Sequence, residues 1–290
     1  MPIKFTKFHG LGNDYIVLEA QDLSDVKDLG QFSKRICNRH YGAGSDGIAI
    51  VEKLDSSKAD FNVRIFNPDG SEAGLSGNGT RCAAAYLYYK GLWSADELVL
   101  STRTGLKRYF PREQDPRGKY IFESELGQPF FDPQTIPMRD TPVEKVIGYE
   151  LPVNGEKFQI TAMQMGNPIC CIFVDDFDAL DWRRIGKTIE NHPQFPDRTN
   201  VVFVRVLERK LIELRIWERG VGETTASGTC SCGGAVAAMV NEKADRDVRV
   251  LMEGGEVKIN WRSDNEVVIT GSAEVVYSGQ WLSDKLYSLS

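Results

Sequence analysis

The stretch Arg64–Tyr86, RIFNPDGSEAGLSGNGTRCAAAY, decides how the chain is built, because it occurs twice. Its counterpart begins at Arg215 and reads RIWERGVGETTASGTCSCGGAVAA. Without gaps, Arg64-Ile65 falls on Arg215-Ile216, Phe66 on Trp217, Glu72 on Glu223, and Ser76-Gly77 on Ser227-Gly228. The offset of 151 residues is about half of a 290-residue chain. Self-similarity at such a spacing fixes the architecture before any local propensity is consulted.

Working outward, the repeat extends upstream in the same order. Gly12-Asn13 precedes the apolar run YIVLEA, as Gly166-Asn167 precedes ICCIFV. A helix-like segment ends NRH at His40 and another ends ENH at His192; the strand-like GIAIV and NVVFV follow them. Fully apolar or alternating runs of this length read as strands. An Ala-rich helix is expected after each Ser-Gly, over about 78–90 and ended by Gly91, and over about 230–241. The fold class is α/β (α+β), with two pseudo-symmetric domains. The expected division is 1–125, joined by a C-terminal strand over 275–290, and 126–274. A linker is expected at Arg112–Gly118 (REQDPRG) or near Gly127-Gln128-Pro129, and the tail after Trp281 reads as an appendage.

Composition bounds the function. The chain has 35 Lys+Arg against 41 Asp+Glu, a net charge of −6. With no basic runs, this argues against nucleic acid and against anionic membranes as partners. No apolar stretch approaches the ~20 residues of a membrane span. The start, MPIKFTKFHG, lacks the apolar core of a secretory signal, so a cytoplasmic protein is expected. Six cysteines in this length make no disulfide scaffold, and with no CxxC pair and three histidines no metal site is expected. Cys170-Cys171 reads as buried strand, and His9 and His40 as structural residues.

The chemistry concentrates at the repeated Ser-Gly. Two related halves are expected to set Ser76 and Ser227 opposite each other across a pseudo-twofold cleft, each just before a helix N-terminus. Gly77, Gly79 and Gly228 leave backbone N–H groups approachable there. A helix N-terminus offers unpaired donors and about half a positive charge, which suits a carboxylate gaining enolate character. The other glycine patterns fail on context. Gly42–Gly47 spells GxGxxG but follows a helix and precedes a strand, the reverse of a dinucleotide site.

The motifs HGLGNDYIV, FNPDGSEAGLSGNGTRC, MGNP, FPDRTNVVFV and ERGVGETTASGT stand in this order between His9 and Thr229. Together they resemble the diaminopimelate epimerase family, and the resemblance runs from Ile3 to about Trp281. It implies two domains, each wrapping strands around a central helix. It also implies a cofactor-independent isomerase that interconverts LL- and meso-diaminopimelate by proton exchange at Cα, and a homodimer. Carried over position by position, it places the substrate on Asn13, Asn67, Asn167, Asn200 and Arg219, with Glu218 as the partner acid. Backbone donors at Gly77-Asn78 and Gly228-Thr229 would hold the reacting carboxylate. The residue types agree: amides serve both amine and carboxylate, and Arg219 suits a second carboxylate through its fork.

The sequence departs from the family at the reacting positions. The two catalytic cysteines implied by the resemblance fall on Ser76 and Ser227, and a histidine after Gly-Asn-Pro falls on Ile169. A thiol ionises near 8.5 whereas an alcohol lies far higher, at about 1.4 kcal/mol per unit. Three readings stay open on the sequence. The serines are an engineered pair, which Ile169 speaks against; or they are a natural serine-type isomerase, acting on diaminopimelate or another amino acid; or the chain is a ligand-binding homologue without turnover. Arg219 speaks against proline-type ligands.

Overall fold

The segments after Ser76 and Ser227 carry few polar residues beyond their first turn, and a helix apolar on every side has to be buried. The structure, a computed structural model, describes residues 2–282 apart from 75 and 116. It divides into two compact units, one holding residues up to Ser124 together with those from Gly271 on, the other Glu125–Thr270.

The first unit runs β1 (Ile3–Gly10), β2 (Asn13–Glu19), α1 (Leu29–Ile36), β3 (Gly47–Lys53), β4 (Phe61–Phe66), β5 (Glu72–Ala73), α2 (Gly77–Tyr89), β6 (Leu98–Thr102), β7 (Gly105–Asp115) and β8 (Lys119–Gly127). The second runs β9 (Tyr149–Val153), β10 (Glu156–Gln164), β11 (Pro168–Phe173), α3 (Trp182–Glu190), β12 (Asn200–Glu208), β13 (Leu211–Glu218), β14 (Gly222–Thr224), α4 (Gly228–Val240), β15 (Asp247–Met252), β16 (Gly255–Trp261) and β17 (Val267–Trp281). Strand β8 begins in the first unit and ends in the second, and the last strand begins in the second and ends in the first.

The internal repeat reappears as topology. In the first unit β1–β2 is antiparallel, β2–β3 parallel, β3–β4 antiparallel, β4–β6 parallel, and β6–β7–β8 antiparallel. In the second, β10 to β13 followed by β15, β16 and β17 give the same alternation in the same order. In the first unit β17 pairs antiparallel with β1 and also with β8, which closes the sheet on itself.

Each unit wraps its strands around one thirteen-residue helix. Helix α2 packs on β1, β2, β3 and β4; α4 packs on β10 to β13, β15 and β16. The sequence YIVL in β2 is apolar throughout because both faces are covered. Tyr15 and Val17 join Ala83 and Leu87 of α2, while Ile16 and Leu18 join Phe32 and Ile36 of α1. Small residues let α4 approach its sheet: a Cβ on Gly233 would lie 2.8 Å from Ile169, and one on Gly234 2.9 Å from Leu214. Helix α2 stops at Lys90, followed by Gly91 at φ +67°, a left-handed position that favours glycine.

Two expectations need correction. Arg112–Gly118 is no linker: it ends β7 and turns into β8, with Gly118 N–H donating to Asp115 O at 2.9 Å. A hairpin turn uses the same Pro, Gly and charged residues as a linker, and composition does not separate them. The C-terminal strand starts earlier than expected, at Val267, and 283–290 lie outside the described residues. No helix among the described residues is long and apolar enough to cross a membrane.

Candidate active site

In each unit a tight turn delivers an asparagine to the start of the site. Gly12 and Gly166 take φ +80° and +76°, the left-handed region that a side chain resists, and Asn13 and Asn167 follow directly. Among the proposed residues, the first unit holds Asn13, Asn67, Ser76, Gly77 and Asn78. The second holds Asn167, Asn200, Glu218, Arg219, Ser227, Gly228 and Thr229.

Ser76 is the N-cap of α2 in extended backbone, and its Oγ accepts the Gly79 N–H at 3.0 Å. Tyr15 Oη lies 2.8 Å from the same oxygen. Behind the cap, Asn78 Nδ2 donates to Asn13 Oδ1 at 3.2 Å, and Asn78 Oδ1 accepts from Arg81 Nη2 at 2.5 Å. The buried Arg81 is held in turn by the Ser272 carbonyl at 2.9 Å. Asn13 Nδ2 donates to Asp46 Oδ2 at 2.9 Å. Arg39 forks onto Asp14 and also reaches Asp46, and Lys7 pairs with Asp14 at 2.7 Å. Burial alone would raise the Asp14 carboxyl; the Arg39 and Lys7 hydrogen bonds outweigh it and hold it at about 2. Asn67 stands apart from this chain of contacts, its amide donating to Ser71 Oγ at 2.9 Å within a turn.

Ser227 is the N-cap of α4 with nearly the same backbone, yet its side chain makes no cap. It donates instead to Glu218 Oε1 at 2.9 Å. Glu218 ends β13, and the turn after it is clamped by the buried Glu190, which takes Trp217 Nε1 at 2.8 Å, Gly220 N at 2.8 Å and Arg198 Nη1 at 3.1 Å. Asn200, also buried, ties Pro168 O to the Arg219 N–H at 2.9 and 3.0 Å. The Arg219 fork rests one arm on Asp197 O at 3.0 Å. Asn167 Nδ2 reaches Thr229 Oγ1 at 3.5 Å, and its Oδ1 is buried with no partner among the described residues. A buried orphan acceptor is costly without a donor, which an amino-acid ammonium would supply.

The glycines expected to expose backbone donors divide by role. Among the described residues, Cβ atoms on Gly77 and Gly228 would meet nothing closer than 3.8 Å, whereas one on Gly79 would strike the Tyr15 ring at 2.9 Å. Gly79 is there for the ring. The nearby thiols are not proton carriers: burial pushes Cys82 up to about 12 and lifts Cys230 too, with the Glu218 charge adding to the latter. Tyr15, Arg81, Asp46 and Glu190 were not picked out by the sequence reading. Only Tyr15 carried a signal, a hydroxyl inside an otherwise apolar strand, since a buried phenol needs a partner.

Solved structures share this fold over nearly the whole chain. A phenazine biosynthesis protein of the PhzF family from Bacillus anthracis aligns with a TM-score of 0.68 at 18% identity, over 98% of this chain and 100% of that one. A probable proline racemase from Agrobacterium radiobacter aligns at 0.66 and 15% identity, over 99% of this chain and 94% of that one. The class is thus a strand-rich α+β fold of paired units. The family model described as diaminopimelate epimerase matches residues 5–121 and 161–276. Diaminopimelate epimerases of Pelotomaculum thermopropionicum and Moorella thermoacetica are 41% and 40% identical, over 96% and 97% of this chain and 98% and 99% of theirs. The chain belongs to the diaminopimelate epimerase family.

Proposed function

We propose that the chain interconverts LL- and meso-diaminopimelate by moving a proton at Cα, without a cofactor. Family membership along almost the full length supports the substrate. The observation that carries the reaction is the 2.9 Å hydrogen bond from Ser227 to Glu218. As Ser227 Oγ takes the Cα proton, its own proton passes to the carboxylate, so a free alkoxide need not form. Ser76 returns a proton to the opposite face of the same carbon. The open N–H groups of Gly77-Asn78 and Gly228-Thr229 hold the reacting carboxylate as it takes on enolate charge. Asn13, Asn67, Asn167 and Asn200 orient the amino acid, and Arg219 takes the distal carboxylate.

The reading includes a cytoplasmic homodimer, in line with the resemblance, which sedimentation tests. Its main test is separation of the stereoisomers by chromatography after incubation with LL-diaminopimelate, with binding followed by calorimetry. The meso isomer is expected to accumulate. Binding without conversion would make the protein a ligand-binding homologue, and conversion of another amino acid in place of diaminopimelate would make it a serine-type isomerase of different specificity.

A further inference from the structure

We infer that Tyr15 is a positioning residue for Ser76, holding its oxygen and resupplying the proton that Ser76 gives to the substrate carbon. The inference rests on Ser76 being a proton-transfer group, as proposed above.

The tyrosine is built into place. It lies on β2 directly opposite Gly47 of β3, and Gly79 of α2 lies beneath its ring. A Cβ on Gly47 would come within 2.8 Å of the Tyr15 ring and one on Gly79 within 2.9 Å. Two elements therefore give up their side chains at the points where this ring passes to reach Ser76. Tyr15 itself is buried in the apolar cluster around α2. A phenylalanine would fill the same space with no polar group to satisfy; the phenol brings its hydroxyl to 2.8 Å from Ser76 Oγ.

The hydrogen bonds then sort themselves. Ser76 Oγ accepts from Gly79 N–H and, with Tyr15 donating, from the phenol as well. Its own hydrogen is left to give away. In the step, the Ser76 O–H bond breaks as a new Cα–H bond forms, using the electron pair of the enolate. The Tyr15 O–H bond breaks as its proton moves to Ser76 Oγ, and the negative charge ends on the phenolate. A phenol ionises near 10, far below an alcohol, so the charge rests where it costs least. Solvent returns the proton between turnovers. A thiol at position 76 could carry the charge itself and has less need of the phenol.

The test compares Tyr15→Phe in two backgrounds, the unaltered chain and Ser76→Cys, by the kinetics of isomer interconversion. In the serine background kcat is expected to fall tenfold or more with KM changed less than twofold. In the Ser76→Cys background the same change is expected to cost less than threefold. Equal losses in both backgrounds would make Tyr15 a packing residue and overturn the inference, as would an unchanged kcat. Absence of turnover in both the unaltered chain and Ser76→Cys would withdraw the underlying reading and this inference with it.

Discussion

Ser76 and Ser227 hold equivalent places and do different things. Both cap thirteen-residue helices from extended backbone, at φ −135°, ψ 119° and φ −146°, ψ 125°. Ser76 turns its oxygen inward to Gly79 and Tyr15, while Ser227 turns away from the cap and gives its proton to Glu218. The repeat has kept its backbone and diverged in the side chains around it. In the proposed reaction one group acts as base and the other as acid at any moment, so the two must differ in protonation state.

The largest test of the contrast is Glu218→Gln. Without a carboxylate to receive the Ser227 proton, kcat in the stereoisomer assay is expected to fall on the order of a thousandfold. Ser227→Ala should cost about as much, and the double variant little more, because the two act as one unit. A loss below tenfold would remove Glu218 from the chemistry. Replacing both serines by cysteine should raise turnover about tenfold or more in the same assay, since a thiolate forms near neutral pH beside a helix end. An unchanged rate would mean that the hydroxyls do not limit the reaction.

Smaller effects probe the scaffolds. Asp14 is held at about 2 against an ordinary 3.8, so its contribution is complete above about pH 4 and lost as pH falls through 2. Urea unfolding at pH 5 and pH 2.5 should show a loss of stability that is smaller in Asp14→Asn by on the order of 2 kcal/mol. Gly79→Ala drives a Cβ to 2.9 Å from the Tyr15 ring and is expected to cost about 1–2 kcal/mol in the same measurement. Gly77→Ala meets no described atom within 4 Å and should stay within about 0.5 kcal/mol.

The sequence announced the repeat because duplicated helices begin with the same Ser-Gly and draw on the same small residues. The expected helix over about 78–90 is observed as Gly77–Tyr89, and that over about 230–241 as Gly228–Val240. What stayed illegible depends on contacts distant in the chain. Gly47 is 32 residues from Tyr15, yet only their register in neighbouring strands explains why each is what it is. Glu190 read as the end of a helix near ENH; its grip on Trp217 and Gly220 exists only once α3 lies on β13. The two serines looked alike in sequence because their difference lies in what each hydroxyl touches.

The central claim is that hydroxyl groups at these helix ends still move a proton at Cα. Incubation with LL- and then meso-diaminopimelate in D₂O, followed by NMR, tests it directly. Deuterium is expected at Cα together with appearance of the other isomer, and both signals should vanish in Glu218→Gln. Binding of either isomer with no deuterium at Cα would contradict the claim, leaving a pocket that recognises its ligand and does not transform it.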